Sequence, residues 1–229
     1  MRRPLRILAI VEGHGEQTAV PVLLRRWFQY RGFRNFETPD LAIRAPGAGA
    51  LKCPHDADDE LGVEYYVEMA AREQPDGILI ILDADDECLE RSKTRRKGLG
   101  LELLERALAV APHIPIQVVV ANREYEVWFL AALARLRRAK LLPAGQRLAT
   151  LSDIEAIRDC KKRLSALLGR PYEETIDQSD FSSALPFTSG MAQRSRSYRK
   201  LLKALDELTQ QARGRRRHTD KHSTAARRR

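Results

Sequence analysis

The stretch that decides the fold is Leu5–Val11 (LRILAIV), an almost continuous apolar run that leads directly into Val11-Glu12-Gly13-His14-Gly15-Glu16. A strand that is apolar on both faces is typical of a buried parallel sheet. Gly13 and Gly15 predict a tight turn, and residues 16–31 then space their apolar side chains as a helix does. The stretch therefore predicts a strand, a turn and a helix that open an α/β domain.

The same alternation recurs along the chain. Apolar runs predict further strands at residues 40–45, 77–82 and 115–121, and periodic segments predict helices at 58–73, at 99–110 and from 124 onward. Strands that alternate with helices imply βαβ units and a mostly parallel, Rossmann-like sheet flanked by helices.

After residue 140 the strand signals stop. Amphipathic helices are predicted at 152–168 and 193–212, with a polar loop at 171–189 between them. We therefore expect an α/β core at residues 1–140 and, at 141–212, a C-terminal helical extension packed on it.

Most of the positive charge lies at the C-terminus. The chain has 229 residues and a net charge of +9, and residues 213–229 hold eight Lys/Arg against one Asp. This segment carries +7, leaves +2 for the rest and lacks apolar periodicity, so we expect a disordered basic tail. It could bind nucleic acid through phosphate neutralisation or act as a solubilising terminus.

Other classes of protein are disfavoured by the composition. No stretch approaches the roughly 20 consecutive apolar residues of a membrane helix. The three cysteines lie far apart, without the spacing of a zinc site or a disulfide framework. The basic N-terminus passes directly into the first strand, which favours a cytoplasmic protein without membrane association.

Carboxylates follow two of the predicted strands. Glu12 and Glu16 come after the first, and Asp83, Asp85 and Asp86 come after the run at 77–82. Either group alone could be a helix cap or a solvated turn. Because the carboxyl ends of parallel strands share one edge, neighbouring strands would bring both groups together. Such a cluster suits Mg²⁺ (or Mn²⁺) and metal-dependent chemistry on phosphate esters.

These motifs resemble the Toprim domain of topoisomerases, primases and small nucleases. Over residues 5–205 the chain is similar to a bacterial Toprim-like family catalogued as domain of unknown function 4276, related to the overcoming-lysogenization-defect nucleases. The matching segments are VEGHGE (11–16), LDADDE (82–87), NREYEVWFLAAL (122–133), IDQSDF (176–181) and SRSYRKLLKAL (195–205).

The resemblance implies a compact sheet of four parallel strands and gives the carboxylates roles. Glu12 would serve in acid–base catalysis or as a metal ligand, Asp83 and Asp85 would hold Mg²⁺, and Glu16 would add a metal contact. The chain departs from the common V-E-G-x-T-E form at Gly15, where Thr is frequent.

Further candidate residues surround this predicted metal site. Gly13 and Gly15 would let a phosphate or metal approach the backbone. The basic loop at 93–98 could bind substrate. Acids after the fourth predicted strand could add ligands or cap a helix, and a cationic helix face could contact phosphates or be solvated. The residues concerned are Lys93, Arg95, Arg96, Glu124, Glu126 and Arg196.

Taken with these carboxylates, the resemblance implies a Mg²⁺-dependent nuclease acting on DNA or RNA, with Glu12, Asp83 and Asp85 as its catalytic residues. The resemblance also implies an ATPase partner in a defence or toxin-like system, and the chain itself has no G-x-x-x-x-G-K-[ST] motif. One alternative is a non-catalytic regulatory or interaction module that keeps the Toprim shell. Another is an aspartyl phosphatase, but Glu12 stands where its nucleophile would be.

Overall fold

The computed structural model describes residues 3–46, 49–53, 61–84, 98–144 and 153–226, with side chains through Arg216. The described strands form one sheet in which every pairing is parallel. The strands are β1 (Leu5–Val11), β2 (Phe36–Glu37), β3 (Ile43–Arg44), β4 (Gly77–Asp83) and β5 (Ile116–Ala121). The order is β2-β1-β4-β5, and β3 also pairs with β1. The predicted α/β class with a mostly parallel sheet is confirmed.

Strands β1 and β4 are direct neighbours. Their register pairs Ile7 with Gly77 and Val11 with Ile81, so both strands end at the same edge of the sheet. On the other side of β1, β2 pairs with its first two residues and β3 with its last two. Two short strands therefore fill the position predicted for one strand at 40–45. Pro39 lies between them, and proline cannot donate a ladder hydrogen bond.

Helices cover both faces of the sheet. The long apolar run of β1 serves both faces, because Ile7, Ala9 and Val11 join one core cluster while Leu8 and Ile10 join the other. The described helices are α1 (His14–Tyr30), α2 (Val63–Arg72), α3 (Leu99–Val110), α4 (Val127–Ala131), α5 (Leu133–Arg138), α6 (Cys160–Leu168), α7 (Glu174–Ala184), α8 (Ser189–Arg194) and α9 (Arg196–Ala226). A 3₁₀ turn at Ile154–Ala156 precedes α6.

Helix α7 lies inside the segment predicted as a polar loop, so that prediction is wrong. The helix packs along α1, and its buried face is largely polar, with Asp177, Gln178 and Ser182 beside Phe181. Sequence periodicity reports helices through apolar side chains, and a polar buried face gives almost no such signal.

The C-terminal helices form part of the layer that covers the sheet. Helix α9 packs directly on β5 and β4. Two buried indoles are tied to it, because Trp128 Nε1 donates to Ser197 Oγ at 3.0 Å and Trp27 Nε1 donates to Thr209 Oγ1 at 3.2 Å. None of the described helices is long and apolar enough to cross a membrane.

Helix α9 continues to Ala226, where disorder was expected from residue 213. The first cations of the basic segment contact the folded body. Arg213 lies over the Phe33 ring, Arg215 donates to the Pro75 carbonyl oxygen at 3.1 Å, and Arg216 pairs with Asp76. Composition does not reveal such contacts, because their partners are distant in the sequence. These contacts lie at the amino-terminal edge of the sheet, opposite the ends of β1 and β4.

Candidate functional site

A cavity of about 380 Å³ opens at the carboxyl edge of the sheet, where β1 and β4 end. Its wall combines the turn after β1, the end of β4 and residues from β3, α6 and α7. The lining residues are Glu12, Gly13, His14, Glu16, Arg44, Ile81, Leu82, Asp83, Lys161 and Glu174. Its volume falls within the range of small-molecule pockets.

Glu12 and Asp83 reach this cavity from neighbouring strands. Glu12 directly follows β1, and Asp83 is the last residue of β4. Both side chains line the wall, as expected for carboxylates at the ends of adjacent parallel strands. Asp85, Asp86, Lys93, Arg95 and Arg96 lie outside the described residues.

Glu16 stands in the first turn of α1 and turns its carboxylate back over Gly13. A Cβ on Gly13 would overlap Glu16 Oε2, so the glycine makes room for this side chain. Glu16 is 7% exposed. Burial raises the pKa of its carboxyl group, and the hydrogen bond from Gln178 opposes that rise.

Gly15 makes room for helix α7 in the same way. A Cβ on Gly15 would overlap Gln178 Oε1 and lie 2.9 Å from Glu174 Cβ. Side chains of the chain itself therefore occupy the space beside both glycines, where the sequence had suggested a phosphate or metal. The space required by α7 is also a physical reason for glycine at position 15, where the Toprim pattern favours Thr.

Gln178 links two buried carboxylates. Its Nε2 donates to Glu16 Oε1 at 2.8 Å and lies 3.4 Å from Glu126 Oε1. Within the described part of the chain, Glu16 Oε2, Glu126 Oε2 and Gln178 Oε1 are buried without a hydrogen-bond partner. Burial raises the pKa of Glu126 to about 8, with Lys161 opposing the rise and Glu16 adding to it. Three buried oxygen atoms of the site thus receive no hydrogen bond from the described residues.

Lys161 supplies positive charge from helix α6. Its Nζ forms an ion pair with Glu174 of α7. Burial acts to lower the pKa of Lys161, but the carboxylates of Glu126, Glu174 and Asp83 outweigh it and leave the pKa raised. Lys161 is therefore the counter-ion of the carboxylates around it.

The other predicted residues lie at varying distances from the cavity. Glu126 is buried behind its wall, next to Gln178. Glu124 is partly buried in the turn before α4 and is not a lining residue, and neither is Arg196, which is exposed on α9. His14 lines the cavity and is exposed.

The sequence did not single out four residues that the fold brings to this site: Arg44, Lys161, Glu174 and Gln178. Gln178 falls within IDQSDF, a segment that resembles the family but to whose residues the resemblance assigns no chemical role. No local pattern marks the other three, because each reaches the cavity through contacts between segments far apart in the chain.

The donor chemistry of the wall fits a hard divalent cation. Four carboxylates face two cationic side chains, which leaves an excess of two negative charges if all are ionised. Oxygen donors are the ligands that Mg²⁺ and Mn²⁺ prefer. In the described residues, no three His, Cys, Asp or Glu side chains are grouped so that they could hold a metal by themselves.

Known proteins do not assign this site. No protein-family model, curated protein or solved structure matches the chain. The resemblance to the Toprim-like family thus stays a prediction, and any proposal of function rests on the residues of the cavity.

Proposed function

We propose that this chain is a Toprim-like, Mg²⁺-dependent enzyme that hydrolyses phosphodiester bonds of DNA or RNA. The observation that carries the proposal is the meeting of Glu12, Glu16 and Asp83 at one cavity, on the ends of adjacent parallel strands and the helix start between them. Acids that line one cavity beside an apolar core are stabilised in their charged form by a cation bound among them.

Glu12 and Asp83 would hold the metal together with Asp85, and Glu16 and Asp86 would add contacts. The bound metal would supply electrophilic activation of the phosphoryl oxygens and a water of lowered pKa. Glu12 would instead act as general base if its carboxylate remains outside the metal's ligands, since it lies in the same wall.

The residues around these acids would position them. Gln178 would fix the Glu16 carboxylate through its 2.8 Å hydrogen bond, and Gly13 would leave room for that orientation. Lys161 would limit the repulsion among the acids while it stays paired with Glu174. A site whose ligands are held in place before the metal arrives loses less conformational freedom on binding.

Nucleic-acid affinity would come from cations other than the first three arginines of the basic C-terminal segment, or through a partner protein. Arg213, Arg215 and Arg216 contact the body at the edge of the sheet opposite the cavity. An ATPase partner, if the reaction uses ATP, would supply the P-loop that this sequence lacks.

The test is cleavage of plasmid, single-stranded DNA and RNA in Mg²⁺ or Mn²⁺ by the wild type, Glu12→Gln and Asp83→Ala. Glu68→Gln, an exposed acid on α2, is the matched control. We expect metal-dependent cleavage by the wild type and the control, with a loss of about a hundredfold or more in both site variants. Equal cleavage by all four proteins would contradict the proposal. Absence of both cleavage and Mn²⁺ binding in the wild type would favour the non-catalytic module.

A further inference from the structure

Arg44 stands beside the carboxylates at a fixed position. It is the last residue of β3 and pairs in register with Val11, the residue before Glu12. The next backbone N–H, that of Ala45, donates to the Val11 carbonyl oxygen at 2.8 Å. Adjacent strands lie about 4.8 Å apart, so the backbone carrying Arg44 runs alongside the acidic turn.

The two cations that line the cavity differ in what surrounds them. Lys161 is paired with Glu174, and the charges of Glu126 and Asp83 act on it as well. Across the described residues, Arg44 has neither an ion pair nor a side-chain hydrogen bond, although its side chain lines the same wall. The charge of Lys161 is compensated by carboxylates of the described residues, whereas the described residues give Arg44 no carboxylate partner, so its guanidinium faces the cavity without one from them.

The chemistry of arginine suits a phosphate group. A guanidinium stays charged at any pH that the protein tolerates, and its planar N–H groups match two oxygens of a phosphate. An anion entering a wall with four carboxylates needs a compensating cation on the protein. Arg44 offers one at the rim of those carboxylates.

We propose that Arg44 is the residue that binds the phosphate group of the substrate, and that Lys161 serves the carboxylates instead. This inference rests on the proposed function for its substrate class, a phosphodiester. The shared ligand chemistry is a phosphate oxyanion, which a nucleic acid or a free phosphate compound could supply.

The test compares wild type, Arg44→Met, Arg44→Lys and Arg72→Met. Arg72 is an exposed arginine in the last turn of α2, and its loss changes the net charge equally. Binding of a short labelled single-stranded oligonucleotide is followed by fluorescence anisotropy with Ca²⁺ present, and binding of inorganic pyrophosphate is followed by calorimetry without metal. Mn²⁺ affinity and the melting temperature are measured for each variant.

We expect Arg44→Met to weaken oligonucleotide binding about ten- to a hundredfold, the effect of losing a charge-assisted hydrogen bond, and Arg44→Lys to recover part of it. Mn²⁺ affinity should not fall, since Arg44→Met removes a positive charge beside the carboxylates, and the melting temperature should stay at the wild-type value. Equal weakening by Arg44→Met and Arg72→Met would overturn the proposal, because it would reflect net charge alone.

The pyrophosphate measurement separates this inference from the proposed function. If wild type binds no Mn²⁺ and cleaves nothing, but Arg44→Met still loses pyrophosphate affinity, Arg44 binds phosphate in a protein that is not this nuclease. If only oligonucleotide binding is lost, the phosphate recognised is that of a nucleic-acid chain. If neither ligand is affected, Arg44 does not bind phosphate.

Discussion

Asp76 lies immediately before β4, and Asp83 is its last residue. The buried carboxylates near these two ends of the strand differ in their hydrogen-bond and ion-pair partners. Asp76 is 1% exposed, accepts from Arg3 Nη2 at 2.7 Å and from the Arg6 backbone N–H at 2.9 Å, and pairs with Arg216. At the other end, Glu16 and Glu126 are buried with raised pKa values, and each keeps one oxygen to which none of the described residues donates a hydrogen bond.

The contrast separates a structural acid from candidate functional ones. A buried carboxylate with cationic and N–H partners can stay ionised and tie segments together, as Asp76 ties the N-terminus to α9. Buried carboxylates that lack donors cost stability, and such groups concentrate at functional sites. The proposed metal site lies at the end of β4 where Glu16 and Glu126 are buried with raised pKa values.

The largest expected loss of stability at neutral pH comes from the amino-terminal end of β4, where Asp76 has all its partners. Asp76→Ala should lower the free energy of unfolding by about 2–4 kcal/mol, because it leaves the Arg6 N–H without its acceptor and removes the shared ion-pair partner of Arg3 and Arg216, which are only partly buried. Urea denaturation measures this change. Asp40→Ala, which removes an exposed partner of Arg25, is the control and should cost at most about 1 kcal/mol. A small loss in Asp76→Ala would remove the contrast between the two ends.

Glu126→Gln, in contrast, should raise the free energy of unfolding at alkaline pH. The pKa of Glu126 is raised from 4.5 to about 8, so between these values the folded state binds more protons than the unfolded state. Stability of the metal-free wild type should therefore fall as pH rises from about 4.5 to 8. The glutamine variant cannot ionise, and we expect it to be on the order of 2–4 kcal/mol more stable than wild type near pH 9.

Thermal unfolding in EDTA across this pH range checks the prediction. Asp180→Asn, an exposed acid on α7, should keep the wild-type slope. A Glu126→Gln profile parallel to that of wild type would mean that Glu126 is ionised at neutral pH and would contradict the raised pKa.

Gly15→Ala tests the packing that brings Gln178 to the site. The added Cβ would overlap Gln178 Oε1 and press on Glu174, so we expect a loss of about 1–3 kcal/mol in stability. Gly190→Ala is the control, since no atom lies within 4 Å of its added Cβ. In a Gln178→Ser background, Gly15→Ala should cost less stability, because the atom that its Cβ would overlap is gone. If the stability losses of the two substitutions simply add, the proposed overlap is wrong.

The smallest expected effect is at Asp177, a buried acid of α7 that resembles Asp76. It accepts from Arg170 Nη1 at 2.8 Å and from the Glu173 N–H at 2.9 Å. Burial acts to raise the pKa of Asp177, but these hydrogen bonds outweigh it and leave the pKa below 3.8. The stability from this group is thus present above pH 3.8 and is lost as pH falls through the lowered pKa.

Asp177→Asn should therefore destabilise the protein by about 1 kcal/mol at neutral pH, a modest amount because Arg170 is half exposed. The difference from wild type should close as the pH falls below 3.8. Denaturation midpoints at neutral and acid pH measure both values, and a gap that persists in acid would show that the N–H contact outweighs the charge.

The sequence predicted the acids that follow two strands and missed the residues that distant segments bring to them. Glu12 and Asp83 were found because an apolar strand followed by an acid is visible in a few consecutive residues, and parallel pairing places such ends together. Gln178 was missed because the buried face of α7 is polar. Lys161 and Arg44 carry no local signal, since a cation in a helix or at a strand end is usually solvated.

By itself, the sequence determined the alternation of strands and helices, the parallel sheet and the acids at one of its edges. These follow from periodicity and from the geometry of parallel strands, which neighbouring residues encode. The tertiary structure alone decided that Gln178 holds Glu16, that Lys161 compensates the acids, and that residues 213–216 contact the opposite edge. Those contacts join segments up to 213 residues apart, and their energies depend on burial and on partners that local sequence does not contain.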